Sequence, residues 1–259
     1  MRGPSMPVEK QIRVVGDLTP SDRSTTKPGG IEVALETEAA LVGRRRLGIR
    51  ETTPWHRHEE RDTYGAVVQG RLGIEYGPDA STVEVGPGGF FSVPAGITHR
   101  ESNLGDERVL VLLVLAGEGP QTTAASAPDR TPDVPPRVAA REELSSTVDL
   151  ANLTRLTPFP DADVQQVYGH SSGRMASEWH HHGDNDVLGY VLQGKGYVDL
   201  LGGEDERVLA EAGEFFHIPA GIIHRHVNPV DEEQAYLLWL TGSEPRTVRV
   251  DPDEPTPSR

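Results

Sequence analysis

Two stretches of this chain are near copies of two others. Residues 55–70 read WHRHEERDTYGAVVQG and residues 179–194 read WHHHGDNDVLGYVLQG, an ungapped match at an offset of 124 with eight of sixteen positions identical. Residues 88–103, GGFFSVPAGITHRESN, match residues 213–228, GEFFHIPAGIIHRHVN, at an offset of 125 with ten of sixteen identical. A repeat of this length confines the chain to architectures built from two copies of one unit. The extra residue falls between the blocks, where Tyr76-Gly77-Pro78-Asp79 corresponds to a region holding Gly202-Gly203-Glu204-Asp205, a change that a hairpin tip absorbs. Beyond the second block the register continues, pairing Val109–Leu115 with Gln234–Leu240 and Pro120 with Pro245.

Within each unit the apolar residues fall in short groups between turn residues, and Gly (28) and Pro (21) are frequent. Short strands joined by tight turns follow, so the fold class is all-β. Residues 117–138, GEGPQTTAASAPDRTPDVPPRV, lack an apolar period and are rich in Pro, Ala, Ser and Thr, the composition of a linker. The expected organisation is an N-terminal arm over 1–30, loose around Gly3-Pro4-Ser5, a first unit over 31–120, a linker over 121–138, a second unit over 139–248 and a flexible tail over 249–259.

Lys and Arg total 25 against 40 Asp and Glu, a formal charge of -15 that phosphate backbones and anionic lipid surfaces repel. Nucleic acid and membrane partners are therefore not expected. No apolar run approaches the roughly 18 residues that span a bilayer, and the basic residues of Met1–Leu18 precede no apolar signal core; a cytoplasmic protein is expected. With no cysteine, any metal must be held by imidazole or oxygen.

That is what the repeats offer. His56 and His58 stand two apart, which on a strand puts both imidazoles on one face, and His180 and His182 do the same. A third histidine, His99 or His224, follows the turn Pro94-Ala95-Gly96 or Pro219-Ala220-Gly221. Three neutral imidazoles from two strands make a facial site with open positions. These residues resemble the cupins, whose first motif is HxH followed by Glu and Gly and whose second is G, PxG, H and N. Gly88, Pro94, Gly96, His99 and Asn103 fit the second motif, as do Gly213, Pro219, Gly221, His224 and Asn228. His56, His58 and Gly70, and His180, His182 and Gly194, fit the first except at its glutamate. The resemblance implies two tandem jelly-roll barrels with the motifs on facing strands, and dimers of the chain.

At the glutamate position stand Thr63 and Val187, and neither supplies a carboxylate. The expected metal site has three histidines alone, with Asp62 and Asp186, one position earlier, as alternative ligands if the turn shifts by one residue. A divalent ion on three neutral ligands keeps its full charge and favours a small anionic chelating substrate, such as an enolate, β-diketonate, catecholate or α-hydroxy or α-keto acid. Cupins of this kind are similar to non-haem iron dioxygenases, so the resemblance implies Fe(II) first, with Mn, Ni, Zn or Cu also suited to imidazole. Two other readings share the residues: a non-oxidative metal-dependent isomerase, decarboxylase or cyclase, and a non-catalytic binding or storage-like protein.

Regular alternation after the ligand position puts Thr63, Gly65, Val67 and Gln69 inside the first barrel and Val187, Gly189, Val191 and Gln193 inside the second. The paired glycines are expected to leave room for a ligand, and Gln69 and Gln193 to orient it or to end the strand in solvent. Glu101 and His226, two past His99 and His224, are candidate acids or bases if they share the inward face, and surface residues otherwise. His217, in the place of Ser92, is a candidate for lining the second pocket. Trp55, Trp179 and the paired phenylalanines at 90–91 and 215–216 read as packing. Arg44-Arg45-Arg46 reads as a solvated cluster, with an entrance for an anionic substrate as the sharper alternative.

Overall fold

A computed structural model describes residues 11–16, 18, 30–201, 207–242 and 246–252. Gly3-Pro4-Ser5, the expected hairpin tip at Gly202–Asp205 and most of the expected tail lie outside the described residues. Among the described residues the only helix is a 3-10 turn, Arg141–Glu143, and no helix is long and apolar enough to cross a membrane. The rest is all-β, and every strand pairing is antiparallel.

Each half folds two sheets against one another. In the first, strands Arg137–Ala139, Phe90–Val93, Arg61–Gln69, Val109–Gly117, Ala40–Leu47 and Ile31–Glu36 form the larger sheet in that order. Strands Thr123–Ala124, His56–Arg57, His99–Asn103, Leu72–Tyr76 and Ser81–Val85 form the smaller. The second half repeats the plan: Asp186–Gln193 and Gln234–Thr241 lie at the centre of its larger sheet, and His180–His181 and His224–Asn228 lie in its smaller one.

Alternation along the strands sorts the side chains into three cores. Val67, Phe91, Val93, Leu113 and Leu115 pack inside the first barrel, and Val187, Val191, Phe216 and Leu238 inside the second. The opposite faces of the two larger sheets share one further core, in which Tyr64, Ala66 and Phe90 meet Leu188, Tyr190 and Trp239. The barrels thus stand back to back, and Gln166 Nε2 donates to the Phe91 carbonyl at 3.4 Å across the join. They also exchange strands. Arg13–Val15, which precedes the first barrel, pairs with Phe215–Ile218 of the second, while Arg137–Ala139, which precedes the second, pairs with Phe90–Val93 of the first. The segment read as a linker therefore carries two short strands, Thr123–Ala124 and Arg137–Ala139, both paired to the first barrel.

Gly65 and Gly189 do face the interiors, but they make room for aromatic rings and not for a ligand. A Cβ on Gly65 would stand 2.2 Å from Phe91 Cζ, and one on Gly189 2.1 Å from Phe216 Cζ. The cross-strand partners Gly65↔Phe91 and Gly189↔Phe216 explain the match, since a ring lies flat only over a residue with no side chain. Gly65→Ala should therefore overpack the first barrel and cost about 1–3 kcal/mol in urea unfolding, with much of the loss recovered in a Phe91→Leu background. An unchanged midpoint would contradict the packing.

Candidate metal centres

The strand His56–Arg57 pairs with His99–Asn103 so that His56 and His99 face one another, and His180 and His224 do likewise. His58 and His182 lie just past the ends of their short strands, and both return to the same cluster. Ring centroids of His56, His58 and His99 stand 4.5–5.4 Å apart, and those of His180, His182 and His224 4.5–5.2 Å apart. All six rings are buried. The turns that deliver His99 and His224 need their glycines, because Gly96 and Gly221 hold φ of 75° and 78°.

Each ring is aimed by a backbone carbonyl. His56 Nδ1 donates to the Pro54 carbonyl at 2.9 Å, His99 Nδ1 to Ile97 at 2.9 Å, and His58 Nδ1 makes a short bond to Gln121. In the second barrel His180 donates to Glu178 at 2.7 Å, His224 to Ile222 at 2.9 Å and His182 to Arg246 at 2.5 Å. A carbonyl only accepts, so Nδ1 carries the proton in all six rings and Nε2 presents a bare lone pair. Nε2 of His56, His99, His180, His182 and His224 is buried with no hydrogen-bond partner. Buried acceptors left bare are costly unless something fills the space between them. Convergent imidazole nitrogens, each fixed through its other nitrogen, are the donor set that a divalent ion takes.

Burial disfavours the charged form in five of the rings, those of His58, His99, His180, His182 and His224. Burial, with the neighbouring imidazoles adding to it, lowers the His58 pKa to about 3. Burial likewise lowers His99 and His182 to about 4, and holds His224 well below its ordinary value.

Glu101 and His226 both point inward. Glu101 is buried and stands 3.4 Å from His56 Nε2 and 3.8 Å from His99 Nε2. It is held by a short ion pair to buried Arg45 and by Thr53 Oγ1, which donates to Oε2 at 3.0 Å. Burial alone would raise the Glu101 pKa, but Arg45, His56 and His99 outweigh it and hold the carboxyl well below the usual range. Burial, with Arg155 next, holds His226 well below its ordinary value. At neutral pH Glu101 is therefore a carboxylate and His226 a neutral imidazole, and neither is in its acidic form.

Other expected residues lie elsewhere. Asp62 and Asp186 do not join the histidine clusters: their Oδ1 atoms accept the backbone N–H of Ala95 at 2.8 Å and of Ala220 at 3.0 Å, fastening the turns before the third histidines. They alternate with inward Thr63 and Val187, so they face away from the centre. Thr63 is buried with Oγ1 unpartnered, and Val187 belongs to the second interior core. Gln69 and Gln193 are exposed and donate to Glu107 at 3.1 Å and Glu233 at 3.4 Å. The reason is a register shift in each barrel, between Val67 and Gln69 and between Val191 and Gln193, which breaks the alternation. His217 does not line the second pocket. It faces away from inward Phe216, accepts from Arg13 at Nδ1 (2.9 Å) and donates from Nε2 to Asp186 (3.0 Å). The arginine run divides by strand parity: Arg44 and Arg46 pair with Glu32, both at 2.5 Å, while Arg45 turns into the barrel. Arg45 was signalled only by its place on an apolar strand.

Family comparison agrees with this architecture. The Cupin domain model matches residues 44–115 and 171–241, more than half of the chain. The chain belongs to the cupin family. Among solved structures, a variant of Bacillus subtilis oxalate decarboxylase superposes on this bicupin with a TM-score of 0.70 at 13% identity, covering 92% of this chain and 79% of that one. A study of the Mn(II) centres of the same decarboxylase gives 0.66, with 83% and 72% covered. Among curated proteins, acireductone dioxygenase of Macaca mulatta is 40% identical over 75 residues, 28% of this chain and 40% of the relative. The human protein is 40% identical over 62 residues, 23% and 33%. The chain thus matches well under half the length of these relatives.

The lowered histidine pKa values fix a pH dependence. Below about pH 6.5 the unfolded chain binds protons on histidines that the folded chain keeps neutral, so stability falls with falling pH. The effect is absent above that value and accumulates down to the folded-state values of about 3 to 4 for His58, His99 and His182. Urea midpoints of the metal-free protein should decline steadily from pH 6.5 to 4. A flat profile would contradict the neutral, buried state of the rings.

Proposed function

We propose that this bicupin is a metal-dependent oxygenase that cleaves a small, anionic, enolisable chelating substrate, with the first barrel as its reaction centre. One observation carries the reading: three imidazoles, each aimed by a backbone carbonyl, converge beside an ionised carboxylate in a buried site. The partial similarity to acireductone dioxygenase supports it, because the name describes dioxygen chemistry on a substrate of this class.

A divalent ion there would supply Lewis acidity and, if redox-active, a route for electrons to dioxygen. His56, His58 and His99 would hold it, with Pro54, Ile97 and Gln121 keeping their rings oriented. Glu101 is a weak proton acceptor, because Arg45 and Thr53 already occupy its oxygens, so the substrate is best suited to arrive as its anion. Apolar Phe91, Val93 and Leu115 line the interior and exclude water. A cleft of about 520 Å³ runs between the turn Pro94–Thr98, which leads to His99, and connector residues 128–134, and offers the approach. The space beside His226 in the second barrel is about 10 Å³, room for one water.

Oxygen-electrode assays on protein loaded with Fe(II) test the proposal against β-diketones, enediols and catechols. Oxygen uptake matched to substrate loss is expected. It should fall at least about a hundredfold in His99→Ala, the upper end of what disturbing a metal shell costs, and persist in His224→Ala. The structural neighbours are oxalate decarboxylases, which defines the opposing result: carbon dioxide released from a small dicarboxylate with no net oxygen uptake would favour decarboxylation.

A further inference from the structure

The two centres differ at the residue two past the third histidine. Glu101 and His226 occupy aligned positions, and the backbone N–H of each donates to an aligned hydroxyl, Thr53 at 2.9 Å and Ser177 at 3.0 Å. We propose that the first barrel holds its ion with three imidazoles and the carboxylate of Glu101, the second with four imidazoles including His226, and that the barrels consequently select different metals. This rests on the reading of both histidine clusters as metal sites, and is independent of the reaction.

Donor atoms at about 2.1 Å from one ion stand about 3.0–3.4 Å from their neighbours. The Glu101 oxygens, 3.4 and 3.8 Å from two histidine Nε2 atoms, need little movement to share that ion. Donor atoms of His226, His180 and His224 lie within 4.8 Å of one another, and His226 Nε2 is buried without a partner. A bound ion would draw this cluster together.

The surroundings have changed in step. In the first barrel Arg45 lies across from Val111 and neutralises Glu101. The equivalent pair in the second is Gly169 across from Tyr236. The Tyr236 ring covers Gly169, whose Cβ would fall 2.2 Å from Cε2, and stacks on His226 at 5.6 Å and 14°. A carboxylate–guanidinium pair in one barrel is thus replaced by an imidazole–phenol stack in the other. Carboxylate oxygen suits Mn(II), whereas imidazole suits Zn(II), Cu(II) and Ni(II).

The test uses two full-length single-site proteins, His180→Ala/His224→Ala and His56→Ala/His99→Ala, each titrated calorimetrically with Mn(II) and Zn(II). The first-barrel site should favour Mn(II) over Zn(II) by at least about tenfold more than the second-barrel site does, a shift of the size that changes around a metal shell produce. Glu101→Gln should erase that difference. Because it alone leaves Arg45 unpaired in the interior, Arg45→Met/Glu101→Gln is measured beside it. Electron paramagnetic resonance of Cu(II) in the second-barrel site should show one imidazole fewer in His226→Gln. Equal metal preference at the two sites, or an unchanged imidazole count, would overturn the inference and leave the metal sites standing. Failure of both ions to bind either protein would overturn both.

Discussion

Six hydrogen bonds from histidine Nδ1 to backbone carbonyls determine what these barrels can hold. Four go to carbonyls two residues upstream, at Pro54, Ile97, Glu178 and Ile222, and so follow from the local path of the chain. The other two go to carbonyls far along the sequence. Gln121 and Arg246 reach His58 and His182 only because the chain returns after each barrel's last long strand and adds a short strand, Thr123–Ala124 or Val248–Arg249, beside the strand of the first histidine. The connector is therefore part of the first centre. With Nδ1 committed, the lone pairs of Nε2 have nowhere to go but toward one another, in an interior that water does not satisfy.

The pairing of the barrels extends this dependence. Each larger sheet is closed at its edge by a strand that precedes the other barrel, which covers an edge and ties the halves together. The exchange reaches the second centre through a polar chain. Arg13 of the donated strand holds His217, His217 holds Asp186, and Asp186 fastens the Ala220 turn from which His224 emerges. In the first barrel Ser92 stands in the place of His217, and Asp62 fastens its turn without that link. The shared core between the sheets buries Trp239 and Phe215 completely, so neither barrel is built to stand alone.

Most of the fold was legible because the duplication is itself a physical constraint: two copies of HxH and PAGxxH fix the same strand pairs twice. Alternation then carried correctly to Thr63, Val67, Val187 and Val191. It failed at Gln69 and Gln193, since a one-residue bulge leaves no mark in the hydrophobic pattern before Gly70 and Gly194. Paired glycines suggested space, yet the aromatic partners that need it, Phe91 and Phe216, lie across the sheet and not beside them in sequence. Asp62 and Asp186 suggested ligands by proximity, while their parity with Thr63 and Val187 already pointed them outward. The inward turn of Arg45 was the least visible feature, hidden among like charges on either side.

The centres are related by duplication but not equal. One sets a carboxylate and an arginine against three imidazoles; the other surrounds its imidazoles with a fourth and a tyrosine. Both depend on the same claim, that bare Nε2 atoms gather around an ion in each barrel. Crystals of the full chain grown with Zn(II) and measured at the zinc absorption edge test that claim most directly. The account predicts two anomalous peaks, one among His56, His58 and His99 and one among His180, His182 and His224; peaks only at surface acids, or none, would contradict it.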